Sequence, residues 1–183
     1  MMMKFLRENV YAAGLLVIIR WVVGLAWIEA GFHKLKDGFD AAGFLKGAIA
    51  NPVLDKATGE MVYPNFVNFI EHFALPNVKL INFLIPVGEL LVGIGLLVGG
   101  LTAIAAFFGL LMNFMFLYAG TVSTNPWLVM LGGIVMMAGA NAGKFGLDYY
   151  LLPLLRKTFA RIRKGGTEKK GGTQAPNLPK AAH

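Results

Sequence analysis

The sequence predicts an all-α integral membrane protein: a bundle of four transmembrane helices with a long outer loop that contains short amphipathic helices. Three observations predict it. Of the 183 residues 56% are hydrophobic and the mean hydropathy is +0.61, too apolar for an ordinary soluble domain. Apolar segments of roughly 20 residues recur, the length that crosses a hydrocarbon core of about 30 Å at about 1.5 Å per residue. Inside those segments the strongly polar groups are isolated: Arg20, Glu89, Asn113 and Asn141.

The first span covers residues 11–31. Lys4 and Arg7 precede it, as in a signal peptide. The apolar run is too long for one and lacks a small-residue cleavage site, so it reads as an uncleaved signal anchor. The outer loop, residues 32–79, holds two amphipathic stretches. One covers 39–46. In the other, 65–75, Phe66, Phe69, Ile70 and Phe73 follow helical spacing opposite Asn68, Glu71 and His72. Residues 51–63 read as an exposed turn-rich loop. From Leu80 to Tyr118 the only charge is Glu89, over twice the length of one span. Gly99-Gly100 divides the stretch into spans 80–99 and 101–119. A short polar turn leads to the fourth span, 127–149. The membrane domain is thus 1–155, and 156–183 is a basic, largely disordered tail.

The formal net charge is +7. Much of the basic excess lies in the tail, so it suits an anionic membrane surface rather than nucleic acid. The chain has no cysteine. That excludes disulfides, Cys-ligated iron–sulfur clusters, c-type haem attachment and thiol catalysis. Lysine and arginine concentrate at the termini. This predicts a multi-pass protein of the cell membrane with both ends in the cytoplasm.

A charge at the bilayer centre costs about 2.5–3.5 kcal/mol on insertion scales, so it needs a partner or a use. On a helical wheel Arg20, Gly24, Trp27, Gly31 and Lys34 share one face of the first span. Counting inward from the span ends puts Arg20 and Glu89 both near mid-depth, which predicts an Arg20–Glu89 ion pair with Asn113 and Asn141 as neighbours. Two readings stand side by side: a pair that only fixes helix packing, or a pocket for a polar or redox-active small molecule. The many glycines read as close-packing positions. His33 and His72 match no ligand spacing, and no metal or haem is expected. Lys144 and Asp148 are four apart, which suggests a local salt bridge.

These residues also form a pattern. Arg20-x3-Gly24-x6-Gly31-x2-Lys34-Leu35 resembles the opening signature of the DoxX/DoxD membrane protein family. Gly88-Glu89, followed by Gly93 and Gly99, resembles its second motif, and Gly143-Lys144-Phe145-Gly146-Leu147-Asp148 its closing one. The resemblance runs over residues 10–155. It implies a four-helix membrane protein and, in some relatives, the small subunit of a thiosulfate:quinone oxidoreductase. Other relatives are linked with oxidative or thiol stress. The expected function is therefore a membrane subunit of a quinone-linked oxidoreductase, with thiosulfate or a related small sulfur anion as donor. Arg20 and Glu89 are the catalytic candidates. Arg20, Trp27, Lys34, Asn113 and Asn141 are the candidates for binding the quinone cofactor. Expected partners are the lipid bilayer and a second oxidoreductase subunit or another copy of the chain. A non-catalytic anchor that recruits a soluble oxidoreductase, or a small-solute carrier, stay open as alternatives.

Overall fold

The computed structural model describes residues 1–171, with side chains described through residue 160. The described residues are helical apart from turns, loops and one antiparallel bridge between Leu54 and Met61. In order, the helices are α1 (Met2–Glu8), α2 (Val10–Asp37), α3 (Ala41–Ala50), α4 (Pro64–Phe69), α5 (Val78–Val98), α6 (Thr102–Tyr118), α7 (Asn125–Ala138) and α8 (Asp148–Gly171). A π-helical turn, Ile70–Ala74, continues α4, and a 3-10 turn, Gly139–Gly143, continues α7. Three of these stretches are long and apolar enough to cross a membrane: Val10–Asp37, Val78–Val98 and Asn125–Gly143. At 17 residues α6 is shorter but equally apolar in character. The chain is a multi-pass, all-helical membrane protein.

Local signals explain the boundaries. Asn9 caps α2, its side chain accepting from the Tyr11 and Ala12 amides at 2.8 and 3.2 Å. Asp40 caps α3 through the Ala42 amide. Pro64 opens α4 at a position where its missing N–H costs nothing. Helix α5 stops at Gly99, which is left-handed at φ 66° and lets the chain reverse into α6. Helix α7 stops at Gly139, whose φ of 58° with ψ of −131° is open to glycine alone.

That last break shortens the expected fourth span of 127–149. After Ala138 the chain leaves the α-helix, and its return segment bonds instead to the α5–α6 turn: Leu147 N–H to Val98 O at 3.1 Å and Asp148 N–H to Gly99 O at 2.7 Å. The first span extends past its expected end, because no helix breaker occurs before Gly38. Part of the expected disordered tail is helical as far as Gly171, and residues 172–183 lie outside the described residues.

Residues Met1–Tyr149 form one compact unit, and a second unit begins at Tyr150. The first has two apolar cores. Leu16, Val23, Trp27, Val92, Leu96 and Val135 lead the one between the long helices. Ala41, Leu45, Ala48, Ile70 and Ala74 form the other, beneath a cap made of α3, α4 and the π turn. Among lipids apolar burial drives association weakly, so close approach must do it. Antiparallel α2 and α5 meet through glycines. A Cβ on Gly24 would lie 3.0 Å from Gly93 O, and one on Gly31 would lie 2.9 Å from Pro86 O. Trp21 Nε1 donates to Leu97 O at 3.2 Å and confirms the register.

Candidate functional site

The register decides which polar groups meet. With Gly24 opposite Gly93, Glu89 lies level with residue 28 of α2, about 12 Å along the axis from Arg20. Helical side chains also lean toward their own N-terminus. In this antiparallel pair Lys34 and Glu89 lean toward each other, and Arg20 and Glu89 lean apart. The expected Arg20–Glu89 ion pair is therefore not formed. Lys34 Nζ instead donates to both carboxylate oxygens of Glu89, each at 2.8 Å. The sequence-based depth count missed this because α2 overhangs α5 at the end that carries Arg20.

Glu89 is 1% exposed, whereas the Lys34 side chain is 27% exposed. The Lys34 ammonium also lies 5.7 Å from the centre of the Phe39 ring, within cation–π range. An ammonium has three N–H donors and Glu89 takes two. The pair lines a cavity of about 330 Å³, bounded further by Trp27, Phe39, Phe116 and Asn125. This falls within the usual range for small-molecule sites. Trp27 is 2% exposed and reaches α6 at Gly109, where a Cβ would lie 3.2 Å from Trp27 Nε1.

Asn125, Thr121 and Thr124 were read from sequence only as parts of a polar turn. They line the cavity too. Asn125 is 7% exposed and its amide is held by Thr121 O at 3.0 Å. The available signal was four polar residues within five positions, Thr121, Ser123, Thr124 and Asn125, in a chain with few polar side chains near its spans. The start of α3, next to the lining residue Phe39, is tied to α5. Ala41 N–H donates to Asn82 Oδ1 at 2.8 Å, and the Asn82 amide reaches Asp40 at 3.2 Å. The Ala42 amide and Asn82 together hold the Asp40 carboxyl below its ordinary range.

The other site candidates lie elsewhere. Arg20 is 1% exposed in the N-terminal half of α2, against Gly99 and Gly146. Its Nη2 reaches Phe145 O at 3.5 Å, Nε and Nη1 have no hydrogen bond, and the opposing charge is that of Asp148. Asp148 accepts from the Leu101 and Thr102 amides at 2.7 and 2.9 Å, so it caps α6. The expected Lys144–Asp148 salt bridge is absent among the described residues, since the carboxylate faces this turn. Asn141 joins α1 to α2, donating to Leu6 O and Asn9 O at 2.8 and 2.9 Å. Asn113 is 1% exposed in the interior, its Oδ1 without a hydrogen bond, and does not line the cavity. Of the predicted residues, the structure brings together Trp27, Lys34 and Glu89. His33 Nδ1 lies 3.5 Å from Asp37, and His72 Nδ1 lies 3.1 Å from Asn68 O.

Comparison with known families gives one match: the DoxX family model covers residues 15–123, well over half of the chain. It runs from within α2 through α6 to Ser123 in the polar turn, and stops before the Gly143–Asp148 segment. No curated protein matches the chain. No solved structure matches it either.

Proposed function

The chain belongs to the DoxX family, and on that premise we propose that it is the membrane subunit of a quinone-linked oxidoreductase, with the quinone headgroup in the Lys34–Glu89 cavity. The observation that carries this reading is the buried carboxylate–ammonium pair on the wall of a cavity of about 330 Å³. The residues fit such a group: aromatic side chains from Trp27, Phe39, Phe44 and Phe116, and a few polar side chains. A bound quinone supplies two-electron, two-proton acceptor chemistry. Lys34 offers its remaining N–H to a ligand oxygen. Glu89, fixed by Lys34, holds or releases a proton within the cavity. The electrons come from a donor substrate, thiosulfate or a related small sulfur anion, through a second subunit.

In this reading α2, α5, α6 and α7 are the four spans, and both termini face the cytoplasm, following the Lys/Arg bias of the ends. A second reading is a membrane anchor for a soluble oxidoreductase. The feature that favours it is the basic run Arg156, Lys157, Arg161, Arg163 and Lys164 on α8.

The test is mass spectrometry of small molecules extracted from the detergent-purified protein, for wild type and Glu89→Gln. Quinone retained by wild type and lost from a folded Glu89→Gln variant is expected. Quinone absent from wild type, with a soluble partner captured only when the basic run is intact, supports the anchor instead.

A further inference from the structure

A second cavity, of about 200 Å³, adjoins the first beneath the cap. Its walls are apolar throughout, and it shares Phe44 and Phe116 with the Lys34–Glu89 cavity. Those two rings meet edge to face at 6.3 Å between centroids and form the partition. Phe44 is only half-buried, on a short cap helix, so its ring is free to change rotamer at the boundary between the two spaces. Met112 and Met115 line the α6 side with unbranched, adaptable side chains. On the outer side Phe69 and Leu84 are exposed on the apolar surface of the protein, which places the opening toward lipid. The roof includes Ala74, 3% exposed, in the π-helical turn. Such turns concentrate at functional sites. An apolar space left empty deprives its walls of dispersion contacts, and a hydrocarbon chain restores them.

We propose that this apolar cavity holds the hydrocarbon chain of the same molecule whose headgroup occupies the Lys34–Glu89 cavity, so that the ligand is a prenyl- or alkyl-substituted quinone threaded past Phe44 and Phe116. The proposal rests on the quinone reading above and adds the chain site to it. The cap of α3, α4 and the π turn is the roof of that site. The ligand enters from the bilayer, chain side outward, and its headgroup comes to rest against Glu89 and Lys34.

The experiment measures binding of one benzoquinone headgroup, with and without a decyl chain, to the purified full-length protein. Wild type is compared with Ala74→Phe and Met115→Trp, two fillings of the cavity from opposite walls. The Met115 variant is the milder test, since that side chain is only half-buried. Wild type should prefer the chain-bearing form by about tenfold or more. In each folded variant the preference should fall to about threefold or less, with the chainless affinity kept. An unchanged preference in both variants overturns the chain site: it then reflects partition into detergent, and the cavity takes a bilayer acyl chain or nothing. Equal binding of both forms to wild type overturns it too, while leaving the headgroup reading in place. Failure of both forms to bind wild type removes the quinone reading and the chain site together.

Discussion

Near the C-terminal end of α2, Lys34 meets Glu89 on the wall of a cavity; in the N-terminal half, Arg20 lies against glycine backbone with Asp148 supplying the opposing charge. Both ends place a buried charge in an apolar chain. At the Arg20 end the surroundings are backbone: Gly99 and Gly146 are so close that a Cβ on either would strike the guanidinium. Asp148 is spent on the Leu101 and Thr102 amides. At the Lys34 end the carboxylate is fully buried but its partner is part-exposed, and open space adjoins both. The difference teaches that burial of a charge in a span does not by itself mark a binding site. Free volume beside a donor with spare capacity does.

The comparison predicts a separation of stability from function. Asp148→Ala should have the largest effect on stability, about 2–5 kcal/mol, because two backbone N–H groups lose their acceptor and Arg20 loses its counter-charge. Thermal unfolding in detergent measures it. The quinone affinity of the surviving folded fraction should be unchanged. A parallel loss of affinity would show that the two ends are coupled.

Glu89→Gln should do the reverse. Lys34 can turn toward the cavity, so stability should fall by only about 1–2 kcal/mol. Quinone-dependent turnover should fall by about 100-fold or more if Glu89 handles a proton. Turnover that tracks stability alone would reduce the pair to a packing element.

Between the two ends lies the glycine crossing. Gly93→Ala should cost about 1–3 kcal/mol, because its Cβ would lie 2.6 Å from Ile28 and 2.8 Å from Gly24 O. Gly133→Ala, with nothing within 4 Å, should be close to neutral. Equal effects in an unfolding assay would contradict the register that sets Lys34 against Glu89.

The smallest effect concerns the cap. The folded Asp40 carboxyl sits below its ordinary value. Its contribution is therefore fully present above the unfolded carboxylate range, near about 3.9, and is lost as pH falls through the lower folded value. Acid should loosen the cap across that range, and Asp40→Asn should flatten that dependence in hydrogen exchange at the Ala41 and Ala42 amides. The same acid response in the variant would assign it to another group.

Much of the helical layout was legible from hydropathy and glycine. The Gly99-Gly100 break falls where the chain reverses, and α5 and α6 begin and end within two residues of the expected spans. The partner of Glu89 was not legible. Lys34 shared the wheel face with Arg20 and Trp27, but choosing between Lys34 and Arg20 needs the offset between helices, and that offset is set by Gly24, Gly31 and Gly93 in contact. Nor was the role of Asp148 legible: spacing offers Lys144 as its partner, whereas a backbone turn 46 residues away takes both oxygens. Long-range caps leave no periodic trace in a sequence.

The central claim is that Glu89 belongs to Lys34 and not to Arg20. Two double-mutant cycles in one background test it, Lys34→Met with Glu89→Gln and Arg20→Gln with Glu89→Gln, each read by thermal unfolding and quinone affinity. The account predicts coupling of about 0.5–3 kcal/mol in the first and additivity within about 0.3–0.5 kcal/mol in the second. Coupling in the Arg20–Glu89 cycle with additivity in the Lys34–Glu89 cycle would contradict it.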